Sequence, residues 1–144
     1  MTPRYRVLFL CIGNACRSQM AEGFARTYGK DVMEVESAGL SPAFMVPPAT
    51  KAVMSEKGID MSGARPKGLR ELGPFKPDVI VNLSGEPFSA PGTEVVDWRV
   101  RDPYMGSVEL YRAIRDEIEQ RVMGLVLGLR KRAQAEAQPP RRAH

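Results

Sequence analysis

Near its N-terminus the chain passes from a strand to a helix through one short loop. Tyr5-Arg6-Val7-Leu8-Phe9-Leu10 is β-rich and apolar on both faces, the pattern of a parallel strand buried on both sides. Within a few residues Ser18-Gln19-Met20-Ala21-Glu22-Gly23-Phe24-Ala25 places Met20, Ala21 and Phe24 on one helical face. Between them stands Cys11-Ile12-Gly13-Asn14-Ala15-Cys16-Arg17-Ser18, with five residues separating Cys11 from Arg17. A loop this short, opening onto a helix N-terminus, turns successive backbone N–H groups toward one point and makes an anion-sized cradle. The N–H groups of Ile12, Gly13, Asn14, Ala15, Cys16 and Arg17 are the expected oxyanion-binding set, with the Arg17 guanidinium gripping two oxygens of a tetrahedral anion. The same positive field favours the Cys11 thiolate, and Ser18 can donate a hydrogen bond to it. Gly13 is expected to supply a backbone angle that other residues resist, and Asn14 to accept left-handed geometry while pinning the loop.

The rest of the chain repeats the strand–helix alternation. Residues 32–37, 78–83 and 94–98 read as three more strands, and Gly29 as the end of the first helix. A second helix is expected from Pro47 or Pro48 to about Lys57, with proline in its first turn. Residues 60–77, rich in Gly and Pro, predict irregular chain with one short helical piece. Ser107 can cap a last helix whose apolar positions are Val108, Tyr111, Ile114, Ile118, Val122, Leu125 and Leu129. This order predicts an α/β, three-layer fold, a four-stranded parallel sheet flanked by helices on both faces, with ligands bound beyond the carboxyl ends of the strands. Residues 1–132 are expected to form one domain, and 133–144 to be a basic, solvated and disordered tail.

Composition narrows the function further. At 144 residues with 43% hydrophobic side chains, the chain is one ordinary globular domain. No apolar run approaches the ~20 residues of a membrane span, and the first is too short for a signal peptide. Two Cys and one His build neither a disulfide framework nor a four-ligand zinc site. A cytoplasmic protein with reduced thiols, no membrane partner and no resident metal or cofactor is expected. The net charge of +4 raises the question of nucleic acid. However, residues 130–144 hold Arg130, Lys131, Arg132, Arg141 and Arg142 against Glu136 alone, so the whole excess lies at the C-terminus. No aromatic–basic interleaving supports a nucleic-acid partner.

A thiolate attacking phosphorus needs a proton donor for the leaving oxygen. The carboxylates available after the fourth strand are Asp97 and Asp102. Asp102 is the choice, because it lies mid-loop and Pro103 fixes the chain beside it; a plain Asp-Pro turn is the alternative. Tyr104 and Phe44 are candidates to stack on an aryl leaving group. His144, the sole histidine, lies in the tail and outside the chemistry.

The run VLFLCIGNACRSQMAEGFA resembles the low-molecular-weight protein tyrosine phosphatase family, and within it the arsenate reductase branch. Gln19 stands where the tyrosine phosphatases usually have proline. Ser37-Ala38-Gly39, Gly58-Ile59-Asp60, the strand at 78–83, Trp98 and Asp102-Pro103 follow in family order, over about residues 4–130. The resemblance implies Cys11 as nucleophile, Arg17 as oxyanion clamp and Ser18 as support for the thiolate. It implies Asn14 and Ser37 as loop supports and Asp102 as the acid that protonates the leaving group and then activates water.

The chain also departs from that pattern. Thiol-cascade reductases carry further cysteines at the end of the third strand, where this sequence has Leu83-Ser84-Gly85-Glu86-Pro87, and no Cys follows. Asn14, Glu22 and Ser37 match a potassium site of some reductases, but Lys67 stands at the position expected to be acidic. Gly63 stands where tyrosine phosphatases place a histidine. Two activities therefore remain open. One is hydrolysis of phosphotyrosine, on a phosphoprotein, or of small aryl phosphates through a cysteinyl-phosphate. The other is arsenate reduction, with Cys16 or an external thiol such as glutathione, mycothiol or a redoxin as the resolving group. Phosphate, arsenate or a similar oxyanion is the expected ligand in both. A catalytically weak anion-binding module is a third reading, marked by tight binding without turnover.

Overall fold

A computed structural model describes residues 4–137. Its elements run β1 (Tyr5–Cys11), α1 (Arg17–Tyr28), β2 (Met33–Gly39), α2 (Pro48–Ser55), a single 3-10 turn (Leu69–Leu72), β3 (Val79–Asn82), β4 (Glu94–Asp97) and α3 (Val108–Ala137). The four strands form one parallel sheet in the order β2-β1-β3-β4. β1 is central, which is why it is apolar on both faces. Val7, Phe9 and Cys11 point into the larger core, and Leu8 and Leu10 into the smaller one.

The α/β fold of four parallel strands flanked by helices is as expected, but the α-helices are unevenly placed. Side chains of α1, α2 and α3 (Met20, Phe24, Val53, Met54, Ile114 and Ile118) all join the larger core on one face. The other face is covered by Leu72 of the 3-10 turn and by loop side chains Phe75, Phe88 and Ala90, around Leu8, Leu10, Ala38 and Ile80. The Gly- and Pro-rich stretch cannot hold a long helix, so compact loops do that work.

The caps follow the sequence. Pro48 opens α2, and Ser107 Oγ accepts the Leu110 N–H at 3.1 Å at the start of α3. In α3 the buried stripe is Tyr111, Ile114, Ile118, Val122, Val126 and Leu129. Val126 takes the place expected of Leu125, because a 3.6-residue period drifts across a helix this long. α3 continues through residues 133–137, which the sequence reading gave to the tail, and Ala133 is fully buried. The remainder of that tail, with Arg141, Arg142 and His144, lies outside the described residues.

β1 and α1 aim the chain at the site. Cys11 is the last residue of β1 and pairs with Gly39 at the end of β2. Arg17 is the first residue of α1. The loops after β3 and β4 leave the same end of the parallel sheet.

Candidate active site

The loop from Ile12 to Cys16 is held from outside by its carbonyls. Those of Cys11, Ile12 and Gly13 accept N–H groups of Leu40, Ser41 and Ala43 at 2.8–3.0 Å, and that of Cys16 accepts Met20 N–H at 2.9 Å. With the carbonyls turned outward, the N–H groups of Ile12, Gly13, Ala15 and Cys16 meet no protein acceptor among the described residues. They are free for an anion.

Gly39 makes this apposition possible. A Cβ on it would lie 2.7–2.8 Å from Ile12 O, Gly13 C and Asn14 N, all backbone atoms that cannot swing away. Gly13 corrects the sequence reading. Its φ is not positive, and a Cβ there would make ordinary contact with Ala43 Cβ at 3.4 Å. The left-handed residue of the loop is Asn14, at φ 51°.

Cys11 is buried at the floor of the cradle. Its Sγ accepts the Asn14 N–H at 3.2 Å and lies 2.8 Å from Ser18 Oγ. Asn14 Nδ2 donates to Ser18 Oγ at 2.8 Å and to Ser37 Oγ at 2.9 Å. Ser18 already accepts from Asn14, so its own proton is available to Cys11. Ser37 Oγ donates its own hydrogen bond to Glu22 Oε1.

Gln19 is a residue whose structural part the sequence reading missed. Its Nε2 donates to Asn14 O and Oδ1, each at 3.1 Å, and to Arg65 O at 3.0 Å. It thus clamps the left-handed residue from behind. The signal in the sequence is an amide side chain in the first turn of the helix, five residues after Asn14.

Arg17 is only 6% exposed. Its Nη1 donates to Leu83 O at 2.6 Å, directly after β3, and to Val100 O at 3.2 Å, in the loop after β4. Its Nη2 lies 3.5 Å from Asp102 Oδ2, and Asp102 Oδ1 accepts the Tyr104 N–H at 3.0 Å. Asp102 is thereby brought over the cradle, its side chain 48% exposed toward the opening. Cys11, Arg17, Asp102, Ala43 and Tyr104 line a cleft of about 240 Å³. Phe44 does not line it. It stands 99% exposed, and Ala43 forms that wall instead.

Cys16 lines the same cleft but is buried, with its sulfur 3.7 Å from the Tyr111 hydroxyl. Burial pushes the Cys16 thiol above its ordinary range, and burial likewise pushes the Tyr111 hydroxyl up.

Lys67 lies behind the cradle. Its N–H donates to Asn14 Oδ1 at 2.8 Å, its carbonyl accepts Gly39 N–H, and its Nζ is 3.5 Å from Ser37 Oγ and 3.7 Å from Glu22 Oε1. Glu22 Oε2 is also paired with Arg26 at 2.7 Å. A carboxylate already facing two cations does not suit a potassium ion, so the residues here do not fit that metal.

The comparisons with known proteins agree with this geometry. The model of the low molecular weight phosphotyrosine protein phosphatase family matches residues 6–90. A glutaredoxin arsenate reductase of Synechocystis sp. is 37% identical over 126 residues, 84% of this chain and 95% of the relative. A solved arsenate reductase in its phosphate-binding state superposes with a TM-score of 0.78 at 36% identity, covering 87% of this chain and 98% of that one. An arginine phosphatase of Geobacillus stearothermophilus superposes at 0.75 with 28% identity, covering 95% and 99%. These likenesses and the cradle at the end of β1 lead to one conclusion: the chain belongs to the low molecular weight phosphotyrosine protein phosphatase family, with arsenate reductases among its relatives.

Proposed function

We propose that this enzyme hydrolyses phosphate monoesters of phenols, phosphotyrosine among them, through a cysteinyl-phosphate on Cys11. The observation that carries the reading is Asp102, a half-exposed carboxyl paired with Arg17 at the lip of a cleft whose floor is Cys11. The phosphoryl oxygens take the loop N–H groups and the Arg17 guanidinium. Ser18 and the Asn14 N–H steady the thiolate. Cys11 Sγ bonds to phosphorus as the ester oxygen leaves, and protonated Asp102 supplies that oxygen's proton. Asp102, now a carboxylate, takes a proton from water, which attacks the cysteinyl-phosphate and frees Cys11. Tyr104 gives one apolar wall for the aryl group.

The names of the relatives favour a second reading, arsenate reduction. Arsenate has the shape of phosphate and suits the same cradle. Cys11 would displace an arsenate oxygen as water. An external thiol would then attack Cys11 Sγ, and arsenic would leave as arsenite with the electron pair of the broken S–As bond. A second thiol would reduce the resulting mixed disulfide. Cys16 is buried beside the Tyr111 hydroxyl, and burial pushes its thiol up, which makes it a poor attacking thiol and favours an external one for that step.

The two readings separate in one pair of assays. Hydrolysis of p-nitrophenyl phosphate that Cys11→Ser abolishes supports the first. Arsenate-dependent consumption of glutathione, mycothiol or a redoxin, without comparable ester hydrolysis, supports the second.

A further inference from the structure

We propose that the Lys67 ammonium is a built-in monovalent cation that sets the oxyanion affinity of the cradle from behind, acting through Asn14 and Ser37 as a positioning residue. The inference holds for either reaction, because it concerns binding of the oxyanion itself.

Lys67 touches the cradle twice. Its backbone is tied to Asn14 Oδ1 and Gly39 N–H, the two residues on which the loop's shape depends. Its side chain lies between Ser37 Oγ and Glu22 Oε1, four-fifths shielded from solvent. Ser37 in turn accepts from Asn14 Nδ2, and that same amide donates to Ser18, the partner of Cys11 Sγ. The Glu22 carboxylate is left facing Ser37, Lys67 and Arg26. Without the ammonium, Glu22 would keep only the half-exposed Arg26 on its Oε2, and only the Ser37 hydroxyl on the Oε1 that faces the anion site. A partly buried negative charge there repels a dianion, since screening is weak away from bulk solvent. The ammonium cancels that field and holds the Ser37–Asn14 pair in register.

Its backbone bonds survive a side-chain change, so charge and scaffold can be separated. In Lys67→Met, the dissociation constant for inorganic phosphate, read by calorimetry at fixed ionic strength, is expected to rise about twofold to fivefold. The apparent Tm should stay near that of the wild type. Potassium or sodium, exchanged for a bulky organic cation at equal ionic strength, should restore part of the lost affinity in the variant and change nothing in the wild type. Arg70→Gln removes one exposed charge from the same loop and should leave phosphate affinity unchanged. The proposal is overturned if Lys67→Met binds phosphate as the wild type does, or if small and bulky cations act alike on it. It is equally overturned if the wild type itself needs potassium, or if Arg70→Gln weakens binding as much as Lys67→Met.

Discussion

Arg17 and Asp102 meet at 3.5 Å with only the arginine buried. Leu83 and Val100 carbonyls fix the guanidinium, and the Tyr104 N–H fixes the carboxyl. Under the proposed hydrolysis, the pair would join a rigid anion clamp to an acid that solvent can reach, which protonation of a leaving group followed by activation of water requires. Asp102→Asn should lower kcat for phenyl phosphates by about 10²–10⁴-fold. The loss should be smaller for p-nitrophenyl phosphate, whose leaving group needs less proton donation. Equal losses across a leaving-group series would remove Asp102 from the acid role.

The cradle's shape depends on backbone clearance at one glycine and not at its neighbour. Gly39→Ala forces a methyl group against three backbone atoms and should cost about 1–3 kcal/mol together with oxyanion binding. Gly13→Ala adds a methyl group at ordinary contact distance and should leave the thermal unfolding curve nearly unmoved. A reversed order in the two unfolding curves would contradict this account of the loop.

Asn14 links four side chains or backbone groups around a left-handed turn, including Ser18, Ser37, Gln19 and Lys67. Asn14→Ala leaves buried partners unsatisfied and strains the backbone, at about 2–4 kcal/mol by chemical denaturation. A cost below 1 kcal/mol would mean that the network is not holding the loop.

The sequence carried the cradle because Cys11, Asn14, Arg17 and Ser18 lie within eight positions, where local geometry dictates what they can reach. It carried the parallel sheet through the apolar runs of β1 and β3. What it hid is mostly backbone. The carbonyls of Leu83 and Val100 that orient Arg17 have no side-chain signature, and neither do the amides of Leu40, Ser41 and Ala43 that turn the loop carbonyls outward. The left-handed turn expected at Asn14 is there, whereas the special backbone angle expected at Gly13 is not. The short helical piece expected within residues 60–77 is the 3-10 turn, but that it and the loop aromatics cover the second face of the sheet leaves no periodic pattern to read.

The buried Cys16 gives a pH-dependent signature. Its thiol is pushed up in the folded state, so the native protein holds that proton longer than the unfolded chain does. Stability from this group is full below the ordinary thiol range and is lost as pH rises through the raised value, with Tyr111 adding in the same direction. Mass spectrometry of iodoacetamide-treated protein should find Cys16 modified more slowly than a free thiol at neutral pH and faster as the solution turns alkaline. Rapid modification near pH 7 would contradict the burial described here and would reopen Cys16 as a resolving thiol.

The most direct test of a working phosphatase is the specificity constant for a phosphotyrosine peptide at pH 6–7, measured beside Cys11→Ser. A kcat/KM above ~10⁴ M⁻¹s⁻¹ that vanishes in the variant is the expected result. A value orders of magnitude lower, with arsenate-dependent thiol oxidation intact, would contradict it and leave the cradle as the site of a reductase served by an external thiol.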